Sequence, residues 1–508
     1  MGGPCYAWAM ETGVLISLGL YFILMLGIGV WSYRESTDDV SGYVLGGRKL
    51  GPMVSALSAG ASDMSGWMLM GLPGAMFLTG LSAAWIAVGL LIGAFANYLI
   101  VAPRLRVYTE RANDSITIPD YFDNRFQDGT RLLRVVSAVV IVVFFTLYTS
   151  SGMVAGGKLF QSAFGLDYAW GLWITAGVVL AYTMIGGFMA VSLTDFVQGC
   201  IMFVALILVP VVALGHVGGL SGAEETIRSV DPGRLDMFKD FTLIGTISAL
   251  AWGLGYFGQP HIIVRFMAVR SVRDIPMMRN IGMSWMLVTL IGALATGLAG
   301  LAYATRTGLE VSDPETIFIL LSDVLFDPLI TGFLLAAILA AIMSTISSQL
   351  LVSSSSLVED FYGTFLRRNA PQKELVLVGR LAVLAVALAA IALAWNPDSS
   401  ILNLVGQAWA GLGAAFGPLV ILSLTWRRMT RTGALAGMIV GAATVLIWIY
   451  APLGPDGGSL SGVIYEMVPG FVLSFATIIL VSLLGKAPPP AVTETFDAVE
   501  QELAEARR

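Results

Sequence analysis

Long apolar runs, separated by short charged or Pro/Gly-rich segments, alternate along the chain. Val14 to Trp31 and Leu377 to Trp395 are two such runs, and each could form one helical crossing of a hydrocarbon core, which takes about 20 residues. Reading all the runs in this way predicts an all-α protein with thirteen transmembrane helices. They are expected to begin near residues 12, 53, 82, 132, 168, 195, 242, 280, 327, 377, 400, 431 and 464.

The composition supports a membrane protein. The chain is 56% hydrophobic and only 12% charged, with a mean hydropathy of +0.81, which is far more apolar than a soluble domain. Cys5 and Cys200 lie far apart in sequence, so the chain predicts neither a disulfide framework nor a zinc site. The two histidines, His216 and His261, sit in no nucleophile or metal motif, and an intramembrane enzyme is therefore disfavoured.

The placement of basic residues predicts the orientation. If the N-terminus lies outside, most of the 28 Lys and Arg residues fall on inner loops or their edges, from Arg34 through Arg265 and Arg368 to Arg508. This predicts an inner (plasma) membrane protein with a cytoplasmic C-terminus. A miscount of two helices would keep the rule only if both misassigned loops were short and uncharged, as around residues 192 and 397. Residues 1–487 are predicted to form one polytopic domain, and 488–508 a cytosolic helical tail with no role beyond solvation.

The second predicted helix is interrupted by a polar, Gly-rich segment, Ser58 to Trp67. Unwound backbone at membrane depth is tolerated only where protein buries it or where it lines a watery cavity, so the break predicts a site. Asp63 lies within it, and a carboxylate at mid-membrane costs about 2.5 to 3.5 kcal/mol, which calls for a cation or another partner. The alternative is a packing hinge in which hydroxyls or backbone amides satisfy Asp63.

The seventh helix contains a second break, Trp252 to Pro260, with three glycines and a proline. Helices 2–6 and 7–11 form two units of five crossings, about 53–218 and 242–424, and the odd number makes them inverted repeats. Each break falls in the first helix of its unit, which is the sequence pattern of a transporter site at a repeat interface.

Hydroxyl-rich patches occur on the fourth helix and on its repeat partner, the ninth. Hydroxyls and backbone carbonyls are hard oxygen donors suited to an alkali cation, and both patches are expected to face inward. Bonding of each hydroxyl to its own helix is the alternative. The patches comprise Thr146, Tyr148, Thr149, Ser150 and Ser151, and Ser344, Thr345, Ser347 and Ser348.

Several strings of residues resemble proline-transporting members of the solute:sodium symporter family, over nearly the whole chain. These strings are Tyr43 to Arg48, Ser55 to Trp67, Trp252 to Ile262, Ala336 to Ile346 and Gly433 to Gly441. The resemblance implies a leucine-transporter-like fold, in which one helix precedes the five-plus-five repeat and two follow it. It also implies a secondary active transporter that imports L-proline with a sodium ion by alternating access.

Matching positions imply a role for each site residue. Sodium is expected to bind the carbonyl oxygens of Ala61, Met64 and Ala341 and the hydroxyls of Ser344 and Thr345. L-Proline is expected near Asp63, which supports sodium-coupled binding, and near Ser65, Gly66, Trp67, Tyr148, Trp252, Tyr256 and Pro260. Arg48 matches a position linked to sodium and substrate handling, although topology alone also calls for an arginine there.

Other readings stay open at this point. The cargo could be another amino acid, a sugar, a vitamin or a choline-like compound. Protons could replace sodium, since Asp63 could itself titrate during transport. A receptor or sensor on a transporter fold is a different class, but the short tail offers no signalling domain. The sequence predicts no nucleic acid and no obligate protein partner.

Overall fold

Every named element in the part of the chain that the structure describes is a helix. This computed structural model describes residues 11–35, 45–239, 242–367 and 370–506, so Cys5, Tyr43, Arg368 and Arg508, cited above, lie outside the described residues. The α-helices are α1 Thr12–Glu35, α2 Pro52–Asp63, α3 Leu72–Thr79, α4 Ala84–Ile100, α5 Ala102–Arg111, α6 Ile118–Phe126, α7 Leu132–Phe164, α8 Tyr168–His216, α9 Gly219–Val230, α10 Leu243–Leu250, α11 Pro260–Ala268, α12 Ile275–Thr307, α13 Ile317–Leu325, α14 Pro328–Ser355, α15 Gln372–Leu393, α16 Ile401–Thr425, α17 Arg431–Tyr450, α18 Met467–Leu484 and α19 Pro490–Ala506.

The predicted all-helical membrane architecture is confirmed. Ten helical stretches of the described chain are long and apolar enough to cross a membrane, and two shorter apolar helical segments, Tyr168–Ala181 and Leu243–Gly258, lie between them. The helices α1, α7 and α17 begin at residues 12, 132 and 431, where the apolar pattern places them. Those boundaries are marked by charged or turn-forming residues, which the sequence displays directly.

The boundary between the fifth and sixth predicted helices differs from the prediction. The pattern puts a new helix near residue 195, whereas α8 runs from Tyr168 to His216 and is interrupted earlier, at Gly187 (φ 59°, ψ −167°). Only glycine adopts such a backbone conformation without strain, so this one residue redirects the chain. Because the residues around it are apolar, hydropathy gives no sign of the turn.

The broken helix α2 lies in the middle of the molecule, where it contacts α8, α11, α12 and α14. The stretches that contain α14 and α16 are mostly enclosed by protein, whereas α1 exposes most of its length. The outer surface carries large apolar side chains such as Leu20, Ile23 and Trp170, as expected where lipid is the solvent. The enclosed helices are therefore the ones that can build a site.

The C-terminal helix α19 packs against α5, which differs from the expectation of a merely solvated tail. Four apolar residues of one helical face are buried, and the ring of Phe496 lies 6.4 Å from the ring of Tyr108. Ion pairs of Arg427 with Asp497 (2.7 Å) and of Arg111 with Glu502 (2.7 Å) flank this face. The tail is charged overall, but its apolar residues recur with the 3.6-residue period of an α-helix and therefore form a stripe on one face. The buried residues are Val492, Phe496, Val499 and Leu503.

Replacing Phe496 with alanine should release α19. Truncation of a buried phenylalanine costs about 3 to 5 kcal/mol, which exceeds what exposed ion pairs can restore. Hydrogen exchange of amides 490–506 should therefore become much faster in Phe496→Ala, while Glu494→Ala on the exposed face of α19 should leave it unchanged. Equal protection in the Phe496 variant and the unaltered protein would show that α19 is held by other contacts.

Candidate functional site

The helical ladder of α2 stops at Asp63. The amide of Met64 still donates to the Gly60 carbonyl (2.9 Å), but the amide of Ser65 turns back to the Asp63 carbonyl (2.9 Å). Met64 and Ser65 are non-helical, and the chain resumes as a π-helical turn, Trp67–Gly71, that leads into α3. Asp63, Met64 and Ser65 are all buried. The predicted break is thus present, and it lies inside the protein.

Three aromatic side chains converge on Asp63. The indole Nε1 of Trp67 (3.1 Å) and the hydroxyl of Tyr148 (3.3 Å) donate to its backbone carbonyl. The hydroxyl of Tyr256 donates to its Oδ2 atom (2.5 Å), whereas Oδ1 has no hydrogen-bond partner. Among the described residues no Lys or Arg pairs with Asp63. A buried carboxylate without a basic partner is costly, so this is a place where a cation would be stabilised.

The five oxygens expected to hold sodium belong to the α2 break and to α14. The Ser344 hydroxyl lies 2.7 Å from the Ala61 carbonyl oxygen and 3.1 Å from that of Ala341. Thr345 is 1% exposed and its hydroxyl has no partner, and Met64 is the first residue after α2. Oxygens this close together can share one small hard cation, whose metal–oxygen distances are about 2.3 to 2.6 Å for an ion of calcium's size. Three of the five oxygens, those of Ser344, Ala61 and Ala341, thus lie near one another and are hard donors of the kind that an alkali cation prefers.

The second predicted break also interrupts a helix. After α10 the chain narrows into a 3-10 helix, Ala251–Gly258, Gln259 is extended, and Pro260 is the first residue of α11. A Cβ atom on Gly255 would lie 1.8 Å from the Trp409 indole nitrogen, so only glycine fits there. That indole nitrogen donates to the Trp252 carbonyl (2.7 Å), which bonds the loosened backbone to α16.

The structure brings together only some of the residues expected to bind the substrate. Trp67, Tyr148 and Tyr256 surround Asp63, as described above. Trp252 instead stacks on Tyr465, with ring centroids 5.5 Å apart.

Close packing explains the glycine at position 66, because a Cβ atom there would lie 2.7 Å from the Ala155 Cβ atom. Ser65 lies in the break, and its hydroxyl accepts a long hydrogen bond from the Trp67 amide (3.5 Å).

A small cavity adjoins the Asp63 carboxylate between α2, α4, α11 and α12. Its volume is about 30 Å³, and Asn97, Tyr98 and Met286 are among its lining residues. This is room for a water or two, well below the roughly 300 Å³ or more of ordinary ligand pockets. This cavity is therefore too small for an amino acid.

Some hydroxyls of the two patches bond within their own helix, and others bond to a neighbouring helix. Thr146, Ser150 and Ser151 donate to carbonyls of their own helix, which is the alternative noted for single hydroxyls, and Ser347 does the same. Thr149 donates across to the Gln349 side chain of α14 (3.2 Å). Ser344 bonds across to α2, and the neighbouring Thr345 hydroxyl is buried without a partner.

Sequence reasoning missed a buried ion pair beneath the site. The distribution of basic residues predicts Arg265 on an inner loop or its edge, but its side chain is 1% exposed and lies 3.0 Å from the Asp195 carboxylate. Arg265 also donates to Ser58 (3.1 Å) and Ser348 (2.7 Å), so the cluster joins α2, α8, α11 and α14. The sequence does contain a signal for this pair. Asp195 and Arg265 each lie inside an apolar run, and charges within a membrane are usually paired with one another.

Arg48 is the last residue of a short 3-10 helix, Gly46–Arg48, and its hydrogen-bond partners in the described chain do not include Asp63. Its guanidinium pairs with Asp114 (3.0 Å) and donates to the Met267 carbonyl (2.9 Å) near the end of α11. It therefore links the segment before α2 with the second broken helix. Nothing in this arrangement brings it into contact with the cation site.

The fold and this site define a multi-helix membrane transporter with discontinuous helices at its centre. The model of the sodium:solute symporter family matches residues 43–441, and the chain belongs to this family. Among curated relatives, the osmoregulated proline transporter of Bacillus subtilis (strain 168) is 60% identical over 492 residues, covering 97% of this chain and 99% of the relative. The high-affinity proline transporter of the same strain is 60% identical over 481 residues, covering 95% and 100%.

A solved structure shares the fold at low sequence identity. It is described as the substrate-bound outward-open state of a sodium-coupled sialic acid symporter, with a TM-score of 0.78 and 19% identity. The match covers 94% of this chain and 99% of that one. At this identity the likeness extends to the leucine-transporter-like architecture alone.

Proposed function

We propose that the protein imports L-proline together with sodium by alternating access. The observation that carries the proposal is the buried Asp63 carboxylate, which has no basic partner in the described chain and ends a helix whose Ala61 carbonyl meets a serine hydroxyl of α14. The relatives named as proline transporters support proline as the cargo. Sodium coupling is supported by family membership and by the hard oxygen donors.

The proposed architecture has thirteen crossings within residues 1–487, the N-terminus outside and the C-terminus in the cytoplasm. The two inverted repeats span about 53–218 and 242–424. Breaks at Asp63 and at Gln259, each in the first helix of its repeat, support this division. The predominance of basic residues on one set of loops supports the orientation.

The proposed sodium site joins α2 to α14. Its ligands are the carbonyl oxygens of Ala61, Met64 and Ala341 and the hydroxyls of Ser344 and Thr345. A cation there would offset the charge of Asp63 and fix the backbone at the break. Because sodium would then favour the conformation that binds substrate, linkage requires that substrate raise sodium affinity equally.

The proposed substrate site lies beside the same break. Trp67, Tyr148 and Tyr256 offer aromatic surface to the pyrrolidine ring. Backbone amides at the break, such as that of Ser65, could receive a carboxylate, as helix N-termini do, once the bond to the Asp63 carbonyl opens. Trp252 and Pro260 belong to the second broken helix, which would close the pocket from the other repeat. One sodium ion moving through about 100 mV releases about 2.3 kcal/mol, enough for roughly 50-fold accumulation of a neutral solute.

The direct test is uptake of labelled L-proline into proteoliposomes that contain the purified protein. An inward sodium gradient should drive accumulation, and an equal potassium gradient should not. An inward proton gradient serves as the third arm. Equal uptake in all three, or accumulation driven by protons alone, would refute sodium coupling, and failure of excess unlabelled L-proline to compete would refute the cargo.

Replacing Thr345 with valine should separate sodium binding from folding. Valine has the same shape and removes a buried hydroxyl that lacks a partner, so stability without sodium should stay the same or rise slightly. Loss of one cation ligand should weaken sodium binding by about 1 to 3 kcal/mol, roughly a five- to 150-fold rise in the sodium concentration for half-maximal uptake. Ser347→Ala is the matched control, since that hydroxyl donates within its own helix. An unchanged sodium requirement in Thr345→Val would remove this residue from the site.

A further inference from the structure

His261 occupies a fully buried position beside the aromatic residues around Asp63. It follows Pro260 at the start of α11, and its exposed fraction is 0%. Its ring meets two rings of α7 nearly edge-on, at 5.2 Å from Phe145 and 5.9 Å from Tyr148. These contacts hold the imidazole plane in place, next to the residue whose hydroxyl bonds to the Asp63 carbonyl.

The polar groups of the three aromatic side chains around Asp63 are already engaged. The Trp67 nitrogen and the hydroxyls of Tyr148 and Tyr256 all donate to Asp63 itself. In contrast, neither ring nitrogen of His261 has a hydrogen-bond partner. A buried polar atom without a partner destabilises the folded protein, so an apolar residue would suit this position better if packing were its only task.

The ring chemistry matches an amino acid zwitterion. A buried imidazole that has no carboxylate partner is neutral, because an unpaired charge there would be too costly. A neutral imidazole presents one N–H donor and one nitrogen acceptor. A zwitterionic imino acid presents the complementary pair, a carboxylate that accepts and a secondary ammonium that donates.

We infer that His261 hydrogen-bonds the transported amino acid directly and is a specificity-determining residue of the substrate site. This inference rests on the proposed function. Phe145 and Tyr148 orient the ring, and Pro260 fixes the start of the helix that carries it. The residue thus supplies a polar contact that the three aromatic side chains bound to Asp63 do not.

The experiment compares His261→Phe, His261→Gln and the control His216→Phe in sodium-driven uptake of L-proline. His216 is the other histidine of the chain, and it lies exposed at the end of α8. Loss of one or two hydrogen bonds to a charged substrate should raise the KM for L-proline about ten- to a hundred-fold in His261→Phe, with a smaller change in maximal rate. His261→Gln, which keeps a donor and an acceptor, should recover part of the loss, and His216→Phe should change nothing.

Substrate analogues distinguish direct contact from altered packing. L-Prolinamide lacks the carboxylate, and N-methyl-L-proline has one ammonium hydrogen fewer. If His261 binds the substrate, the preference for L-proline over at least one analogue should shrink in His261→Phe, as in a double-mutant cycle. Both preferences unchanged would overturn the inference.

The outcome is separable from a failure of the proposed function. If the unaltered protein shows no sodium-dependent L-proline uptake, the proposed function fails. If it does, and His261→Phe transports with an unchanged KM, the role of His261 alone is refuted. Stabilisation of each variant by sodium verifies folding, and His261→Leu carries the same test should the bulkier phenylalanine not fit.

Discussion

Asp63→Asn should lose sodium-dependent L-proline binding while the protein still folds. The asparagine side chain keeps the shape and can still accept the Tyr256 hydrogen bond, which is 2.5 Å long in the structure. It no longer carries the negative charge that would attract a cation into a site where nothing else offsets it. Because a charge interaction in a poorly solvated site is worth several kcal/mol, we expect sodium affinity to fall by about two orders of magnitude or more.

The measurement is binding of labelled L-proline as a function of sodium concentration. Asp398→Asn is the matched control, since that carboxylate is exposed on the turn after α15. It should bind like the unaltered protein. A normal sodium requirement in Asp63→Asn would show that the charge of Asp63 takes no part in coupling.

Arg265→Met should destabilise the protein strongly. Removing one partner of a buried ion pair leaves the other charge unpaired, which costs about 3 to 5 kcal/mol. Here the Asp195 carboxylate, 0% exposed, would lose its charged partner and keep hydrogen bonds to neutral hydroxyls such as that of Ser58 (2.8 Å). Because the cluster joins α2, α8, α11 and α14, the loss should loosen the packing beneath the break.

A double-mutant cycle separates the pair from its surroundings. Asp195→Leu combined with Arg265→Met replaces both charges with apolar groups, and a buried pair exchanged in this way often costs little. The double variant should therefore melt at a higher temperature than Arg265→Met alone. If the two losses simply add, the residues act independently and the ion pair does not organise this region.

The elements that sequence could predict are those with local causes. Apolar runs define the helices, and a cluster of small and polar residues from Ser58 to Gly66 marks the end of α2. Asp63 was predictable because an acid inside an apolar run is expensive. The hydroxyl patch points to Ser344 and Thr345, but only the family resemblance separates them from Ser347, since a hydroxyl on a helix does not reveal whether it bonds to its own helix or to a neighbour.

Features that depend on distant parts of the chain were not predictable in this way. The pairing of Arg265 with Asp195 joins residues 70 positions apart, and each charge alone resembles a loop residue or a packing exception. The contact of Phe496 with Tyr108 depends on where α5 ends. Whether the ring nitrogens of His261 have partners depends on the helices that pack against α11, so the sequence alone does not reveal that they have none.

The central claim is that sodium, held between α2 and α14, orders the break at Asp63 so that proline can bind. Equilibrium binding of labelled L-proline to the purified protein, in sodium and in potassium at equal ionic strength, tests it most directly. We expect saturable binding in sodium, very weak binding in potassium, and a higher sodium requirement in Thr345→Val. Equal binding in the two salts would contradict the account.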